Sequence, residues 1–339
     1  MYEGSTARTS LSLHGKKAYN QSQVMKRTPA DRPQVLIPYP GPSDDAHEQD
    51  VFVYLRPESN GVLVESTMLK VVEHHPDYKQ KLKLVYLANM PGKYILDEHI
   101  IENHYQLKLY FAVHGPRAFT PAMAERFTAY FDTPFERADV VGSFEALKRL
   151  HIRPDDLFRV WVPADRMLAM NGQTVKFVHD MYVVNYDMPA ILHKNNRNTD
   201  IAVMMFRTSL GFAHFKVLAG EMAHALAEAG LVDERTPPSR LFHYSKGPFE
   251  HILDGLGYLC FSDGRRAAMN ELSYARYLHE NGLGYEDIYT LLRNPIACFE
   301  RADGVTVEED LLAYTMFDSY QEALSKVLRI RSQYYRQHG

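Results

Sequence analysis

The clearest grouping of metal-binding residue types lies on one predicted helix, which follows Gly211. His214, Glu221, His224 and Glu228 fall at helical repeats in this segment and therefore share one face. Glu221 and His224 have the Glu-x-x-His spacing of carboxylate-bridged di-iron bundles. Such a site needs a second copy of the motif, and the sequence has no matching copy in a comparable helix. We therefore expect a solvated polar face, with a metal-dependent enzyme as the alternative.

A second segment of interest reads His243-Tyr-Ser245-Lys246-Gly247 and lies between a predicted strand and a predicted helix. Backbone N–H groups at a helix start, together with a lysine, can hold an anion. The segment lacks the Gly-x-x-x-x-Gly-Lys-Ser/Thr pattern of a phosphate-binding loop, so an ordinary connection between strand and helix is the simpler interpretation.

Other polar groupings give weaker signals. A cluster around residues 97–104, with Asp97, Glu98, His99, Glu102 and His104, is typical of an exposed helix face. Neither a Gly-x-Ser-x-Gly elbow nor a His-Glu-x-x-His zinc motif occurs, and the two cysteines are not spaced for a metal. No residue is therefore assigned as a metal ligand.

The elements that would position a site alternate between strands and helices. Residues 50–56 form a predicted strand, 62–73 a helix, and 81–88 another strand, which together make a βαβ unit. One long helix is predicted over residues 96–112, and a further helix begins at Pro121 after the N-cap residue Thr120. Asn171 and Gly172 separate two apolar runs and predict a tight hairpin, so antiparallel strands mix with helices. This pattern favours an α+β fold with a ferredoxin-like βαβ domain.

Ordered motifs in residues 50–195 resemble those of nucleoside diphosphate kinases. Arg56-Pro57-Glu58 stands where that family has Lys-Pro-Asp, and His104-Tyr105 stands where it has a His-Tyr pair. The remaining matches follow in the same order: Arg117-Ala-Phe119-Thr-Pro121-Ala-Met123 for Arg-Pro-Phe-Phe-Pro-Gly-Leu, Thr174-Val175-Lys176 for Thr-Ile-Arg, and Ile191-Leu192-His193 for Ile-Ile-His.

The resemblance implies an exchange of γ-phosphoryl groups between nucleoside triphosphates and diphosphates through a phosphohistidine at His193. It also implies that Arg56 and Lys176 stabilise the phosphate charge, that Tyr105 lies near the phosphates and that Mg²⁺ bridges the β- and γ-phosphate oxygens. Phe119 would stack on the base, and Arg117 and Met123 complete the implied nucleotide site. His193 is followed by Lys-Asn-Asn, where the family has Gly-Ser-Asp. The alternative is a non-catalytic interaction or scaffold protein on the same domain, in which Tyr105, Phe119 and Met123 are core residues.

The second half of the chain opens as the first does. In both halves an apolar strand ends in arginine (Arg56 and Arg207), a short glycine-containing turn follows, and a helix begins. This echo allows an internal duplication or a chance likeness. Near the C-terminus, residues 306–309 read as a capping box for a last helix that runs to about residue 335. We expect this helix to pack on its own domain; the alternative is a homo-oligomer.

Length and composition limit the remaining possibilities. The 339 residues favour two domains, divided here into a tail at 1–33, a linker at 34–48, a kinase-like domain at 49–197 and a helix-rich α/β domain of unknown role at 198–339. A net charge of −4 does not favour binding to nucleic acid or to anionic membranes. Two cysteines in apolar runs, no signal peptide and no long apolar stretch predict a cytoplasmic protein.

Overall fold

The computed structural model describes residues 31–45, 47–233, 235–236 and 238–335. Residues 1–30 of the predicted tail lie outside this part of the chain. The strands, in chain order, are β1 (Gln34–Ile37), β2 (Gln49–Leu55), β3 (Leu82–Met90), β4 (Val140–Gly142), β5 (Met167–Met170), β6 (Gln173–Val178), β7 (Met181–Val184), β8 (Ile201–Thr208), β9 (Phe242–Tyr244), β10 (Ile296–Glu300), β11 (Thr306–Asp310) and β12 (Ile330–Gln333).

The α-helices of the described residues are mostly short and connect these strands. In chain order they are α1 (Val62–His74), α2 (Pro76–Lys81), α3 (Gly92–Asp97), α4 (Ile100–His104), α5 (Gln106–His114), α6 (Pro121–Phe131), α7 (Ser143–Leu150), α8 (Pro154–Arg159), α9 (Met188–Lys194), α10 (Gly211–Glu228), α11 (Pro238–Leu241), α12 (Pro248–Tyr258), α13 (Ser273–Glu280), α14 (Tyr285–Arg293), α15 (Leu311–Tyr314) and α16 (Tyr320–Val327). Short 3₁₀ helices lie at Gly115–Ala118, Phe135–Arg137, Ala164–Arg166 and Met269–Glu271.

The main sheet has five strands in the order β1-β3-β8-β2-β9, and every neighbouring pair is antiparallel. Without the edge strand β1, the order of the other four strands is that of a ferredoxin-like βαββαβ sheet. Its two halves are β2-α1-β3 and β8-α10-β9, the same two strand-turn-helix segments that echo each other in the sequence. The predicted α+β class with ferredoxin-like antiparallel strands is confirmed.

The division of the chain differs from the one predicted. Strand β8 follows residue 197, yet it lies between β2 and β3 and pairs with both along its length. A boundary at 197/198 would cut through this sheet, so the predicted domains 49–197 and 198–339 share one hydrophobic core. The predicted linker at 34–48 contributes β1, which pairs with β3 at the sheet edge.

Residues 91–200 form an insertion between β3 and β8, which are neighbouring strands of the main sheet. The insertion carries a smaller sheet in the order β4-β7-β6-β5 and two apolar clusters, one of which also includes Ile296 of β10. Asn171 and Gly172 form the two-residue connection between β5 and β6, both with positive φ, as the hairpin motif predicts. Thr120 caps α6 as predicted, because its hydroxyl accepts a hydrogen bond from the Met123 N–H at 3.1 Å.

Two helix predictions are wrong. The predicted helix over residues 96–112 is broken into α3, α4 and α5, with His99 in the left-handed region at φ 52°. The predicted last helix is instead the strand β11, the short helices α15 and α16, and the strand β12, which joins β10 and β11 in a three-stranded sheet. Pairing with β10 draws residues 306–310 into a strand and so overrides the local capping pattern.

Helices cover both faces of the main sheet. Phe206 of β8 packs against Phe215 of α10, with ring centroids 5.9 Å apart. On the opposite face, Phe52 of β2 stacks on His251 of α12 at 5.4 Å. The side of the sheet that faces α12 carries most of the buried polar groups described below. None of the helices in the described part of the chain has the length and apolar character needed to cross a bilayer.

Candidate functional site

A cavity of about 520 Å³ lies where the main sheet, the insertion and the C-terminal segment meet. The carboxyl end of β2 contributes Tyr54 and Arg56 to its wall, and the junction of α4 and α5 contributes His104 and Tyr105. Further lining comes from β9, α12, the hairpin turn at Gly172 and the start of α15. Its volume is in the range of pockets that bind small molecules.

Three buried side chains converge beside this cavity: His104 at the end of α4, His243 on β9 and Asp254 on α12. One ligand-type atom from each lies within 4.8 Å of the others. His104 Nδ1 is 3.2 Å from Asp254 Oδ1, and His243 Nε2 is 3.5 Å from Asp254 Oδ2. We call these three residues the His-His-Asp cluster.

The facing atoms of the cluster lack well-aligned hydrogen bonds. His104 Nδ1, His243 Nε2 and Asp254 Oδ1 are all buried, and among the described residues the 3.2 and 3.5 Å approaches of the two imidazoles to the Asp254 carboxylate are contacts within the cluster. Buried polar atoms without partners are rare and costly, because water is lost and nothing replaces it. Three such atoms facing one another are the arrangement expected of ligands around a cation.

The second oxygen of Asp254 is held by the protein. Ser245 Oγ donates a 2.6 Å hydrogen bond to Asp254 Oδ2 and accepts one from the Phe52 N–H at 3.1 Å. Oδ1 faces His104, and Oδ2 also lies 3.5 Å from His243 Nε2. Residues that orient a ligand in this way are typical of metal sites.

The ionisation states also suit a cation. Burial lowers the pKa of His243, so its imidazole is neutral near pH 7 and keeps a lone pair. Burial alone would raise the pKa of Asp254, but the neighbouring His243 and His104 outweigh it and hold this pKa below its usual range. A neutral imidazole and an ionised carboxylate are the forms that bind divalent metals.

A further carboxylate lies next to the cluster. Glu250 precedes Asp254 by one helical turn on α12 and lines the cavity. Its Oε1 is 3.6 Å from His243 Nε2, while its Oε2 accepts a 2.6 Å hydrogen bond from the Lys246 N–H. The hydrogen bond from Lys246 holds the Glu250 carboxylate at the cavity wall. There the carboxylate could accept a proton or serve as a fourth metal ligand.

Most residues assigned by the kinase resemblance lie elsewhere. Arg56 and Tyr105 line the cavity, but Arg117 is exposed on the insertion and His193 is exposed in the last turn of α9. Neither lines the cavity, so His193 lacks the phosphate-binding surroundings that the resemblance implies.

The other three assigned residues have packing roles in the insertion. Phe119 packs on Phe135 with ring centroids 4.8 Å apart, and Met123 is fully buried in the same apolar cluster. Lys176 Nζ donates to the Val160 carbonyl at 2.6 Å and lies 3.6 Å from the centre of the Tyr186 ring. These contacts match the alternative in which Phe119 and Met123 are core residues.

The polar motifs considered first have mixed outcomes. His214, His224 and Glu228 are exposed on α10, as expected for a solvated face. Around residues 97–104, Asp97 and His99 are exposed, but the prediction is wrong for His104, which is buried.

The backbone of the 243–247 segment is not free for an anion. The Ser245 N–H donates to the Phe52 carbonyl at 3.0 Å, and the Lys246 N–H donates to Glu250. His243 is instead directed toward Asp254. The sequence feature that could have identified His243 as a ligand is its position in a short apolar strand. A histidine buried in such a strand needs a polar partner.

Comparisons of the chain with protein-family models, with curated protein sequences and with solved structures find no match.

Proposed function

We propose that this protein is a metal-dependent hydrolase whose divalent cation is held by His104, His243 and Asp254. The observation that carries the proposal is the convergence of three buried ligand-type atoms, none with a well-aligned hydrogen bond among the described residues, beside a small-molecule cavity. Three protein ligands leave coordination positions for water and substrate, which is the pattern of catalytic zinc sites. Two imidazoles and a carboxylate suit Zn²⁺ best, with Fe²⁺ and Mn²⁺ as alternatives.

The surrounding residues supply what hydrolysis requires. A divalent cation would lower the pKa of a nearby water and polarise the bond to be broken. Glu250 would accept the proton of the attacking water and pass it to the leaving group. The water oxygen then forms a new bond to the carbonyl carbon or phosphorus atom as the bond to the leaving group breaks, and no oxidant or reductant is needed.

Metal content tests the centre directly. The purified protein, stripped with a chelator and reloaded with Zn²⁺, should retain one ion per chain by mass spectrometry of the metal. His243→Gln and Asp254→Asn should each lose the ion, and far-UV circular dichroism checks that they fold. His224→Ala is the matched control, because its imidazole is exposed on α10, where it faces Glu228. A folded wild-type protein that retains none of Zn²⁺, Mn²⁺ or Fe²⁺ would contradict the proposal.

The reaction class needs its own measurement. A panel of p-nitrophenyl carboxylic esters, phosphate monoesters and phosphate diesters should include at least one compound hydrolysed only by the metal-loaded protein. Hydrolysis that persists in the Asp254→Asn variant, or a panel without any metal-dependent turnover, would count against a hydrolase.

A further inference from the structure

Arg56 lies on the same cavity wall as the His-His-Asp cluster, immediately after β2. Its backbone N–H donates to the Leu241 carbonyl at 3.0 Å, which fixes the start of the side chain. The guanidinium lines the cavity, and its Cζ lies 5.8 Å from the centre of the Tyr54 ring. The Tyr105 hydroxyl is within hydrogen-bonding reach of it.

The Arg56 charge has no acidic partner. Among the residues that the structure describes, no carboxylate oxygen lies within 4.0 Å of this guanidinium. The neighbouring Glu58 forms its ion pair with Lys194 instead. The Tyr54 ring and the Tyr105 hydroxyl replace part of the hydration that this partly buried guanidinium loses, but no carboxylate neutralises its charge. An anion bound in the cavity would supply the missing partner.

The distance from the Arg56 guanidinium to the His-His-Asp cluster is short enough for one small molecule to reach both. The Tyr54 ring stacks on His243 with centroids 4.5 Å apart and also lies under Arg56. The guanidinium carbon and the His243 ring are therefore separated by at most about 10 Å. A molecule held by Arg56 can therefore reach the cluster with its other end.

The donors at Arg56 favour a phosphate over a carboxylate. A guanidinium alone satisfies both oxygens of a carboxylate. Here the Tyr105 hydroxyl can accept from Arg56 and still donate its own proton, which gives a further donor for a third oxygen. Lys246 and Arg240 also line the cavity and have no ion pair among the described residues. The lining also holds the carboxyl groups of Glu58, Asp187, Glu250 and Asp310. Glu58 and Asp187 pair with Lys194 and Lys108, which leaves Arg56, Lys246 and Arg240 to face an anion.

We infer that Arg56, with Tyr105, binds a phosphate group of the substrate while another part of the same molecule reaches the His-His-Asp cluster. The substrate is then a small phosphorylated molecule. The reaction at the cluster rests on the proposed function, but the binding of phosphate does not, because Arg56 is outside the proposed ligand set.

Calorimetric titration with inorganic phosphate tests this inference on the full-length protein, once with the metal removed and once loaded with Zn²⁺. We expect saturable binding in both states and a dissociation constant for Arg56→Gln that is higher by about tenfold or more, because charge-assisted hydrogen bonds are lost. Arg56→Lys should fall between the two, since lysine keeps the charge but not the paired donors. Arg117→Gln, which removes an exposed arginine outside the cavity, should bind as the wild type does.

The outcomes separate the two proposals. Phosphate binding that is equal in wild type and Arg56→Gln overturns the inference, as does acetate binding as tightly as phosphate or no phosphate binding in either state. Arg56→Gln should retain its zinc, because Arg56 is not a proposed ligand. A wild-type protein that binds no zinc would contradict only the proposed metal centre. Phosphate binding by the metal-free protein would still support Arg56 as the binding residue.

Discussion

Tyr54 stacks on His243 because the two residues are directly opposite each other on neighbouring strands. β2 and β9 pair with Tyr54 opposite His243, and the rings lie 4.5 Å apart with an angle of 19° between their planes. The register of the sheet thus sets the position of a proposed ligand. A shift by one residue would move His243 to the face that α10 covers and would remove it from Asp254.

This contact gives the first prediction, which concerns the Tyr54 ring. Tyr54→Leu should weaken zinc binding by about tenfold, because the imidazole loses the surface that orients it. Tyr54→Phe keeps the ring and should bind zinc as the wild type does. Competition with a chromophoric chelator measures both dissociation constants. Equal zinc affinity in the leucine variant and the wild type would show that stacking does not orient His243.

The second prediction separates Glu250 from the metal ligands. Glu250→Gln keeps the shape of the side chain but cannot accept a proton, so kcat on a hydrolysed substrate should fall by about 100-fold or more. Zinc content should stay at one ion per chain, since the proposed ligand set does not include Glu250. Steady-state kinetics with metal analysis of the same sample tests this. Loss of zinc in the variant would instead make Glu250 a fourth ligand.

The third prediction concerns the buried ion pair of Asp50 and Arg207, which are opposite each other on β2 and β8. Arg207 Nε and a terminal nitrogen donate to the two Asp50 oxygens at 2.7 and 2.9 Å. Asp50→Ala should lower the free energy of unfolding by about 3–5 kcal/mol, because a largely buried guanidinium loses its partner. Urea denaturation of Asp50→Ala, Arg207→Met and the double variant measures the coupling. A double variant whose loss equals the sum of the single losses would contradict a direct interaction.

The strand and helix pattern allowed much of the main sheet to be predicted. Short apolar runs with β-branched and aromatic residues mark β2 and β8, and the hairpin motif marks Asn171 and Gly172. The order of the strands could not be predicted, because β3 and β8 pair across an insertion of 110 residues, 91–200. No local sequence pattern encodes a pairing over that distance. The predicted domain boundary at 197/198 therefore separates two strands that pair in the sheet.

The candidate site was harder to predict than the sheet. His104, His243 and Asp254 come from a helix end, a three-residue strand and a helix interior, and no spacing along the chain links them. His104 was assigned to an exposed face because residues 96–112 read as one helix. The breaks beside His99 and Tyr105 change the direction of the chain, and His104 then turns toward α12. Arg56 and Tyr105 are predicted as binding residues because they stand in the short Arg-Pro-Glu and His-Tyr motifs of the kinase resemblance, and both line the cavity.

The fourth prediction is a pH effect on stability from Asp310. Burial raises the pKa of this carboxyl to about 7, well above its ordinary value of 3.8. Between these two values the folded protein keeps a proton that the unfolded chain has lost, so this group makes stability fall as pH rises through that window. The full effect is at most about 4 kcal/mol.

Asp310→Asn isolates this effect. The asparagine oxygen can still accept the 2.9 Å hydrogen bond from the Ala313 N–H that caps α15. The free energy of unfolding, measured in urea from pH 4.5 to 8, should therefore decline less steeply in the variant than in the wild type. Asp180→Asn, at an exposed turn between β6 and β7, serves as the control and should leave the slope unchanged. Parallel pH profiles for Asp310→Asn and wild type would show that Asp310 titrates normally.

The last prediction concerns Gly172, which lies in the β5–β6 hairpin turn at the point where this turn packs against Asp310. Its φ of +70° disfavours a side chain, and an added Cβ would lie 3.0 Å from the Asp310 Cγ. Gly172→Ala should therefore lower the free energy of unfolding by about 2–3 kcal/mol, through both backbone strain and crowding. Gly304→Ala shares a positive φ of +80° but meets open space, so it should lose only the strain of about 1–2 kcal/mol.

Gly61→Ala completes this comparison, because its backbone is extended and no atom lies within 4 Å of the added Cβ. It should change stability by less than about 0.5 kcal/mol. Urea denaturation of the three variants should give the largest loss at Gly172 and the smallest at Gly61. Gly172 also lines the cavity. Crowding by the added Cβ should therefore push Asp310 and the start of α15 away from the hairpin turn. Equal losses at Gly172 and Gly304 would mean that the hairpin turn is not packed against Asp310.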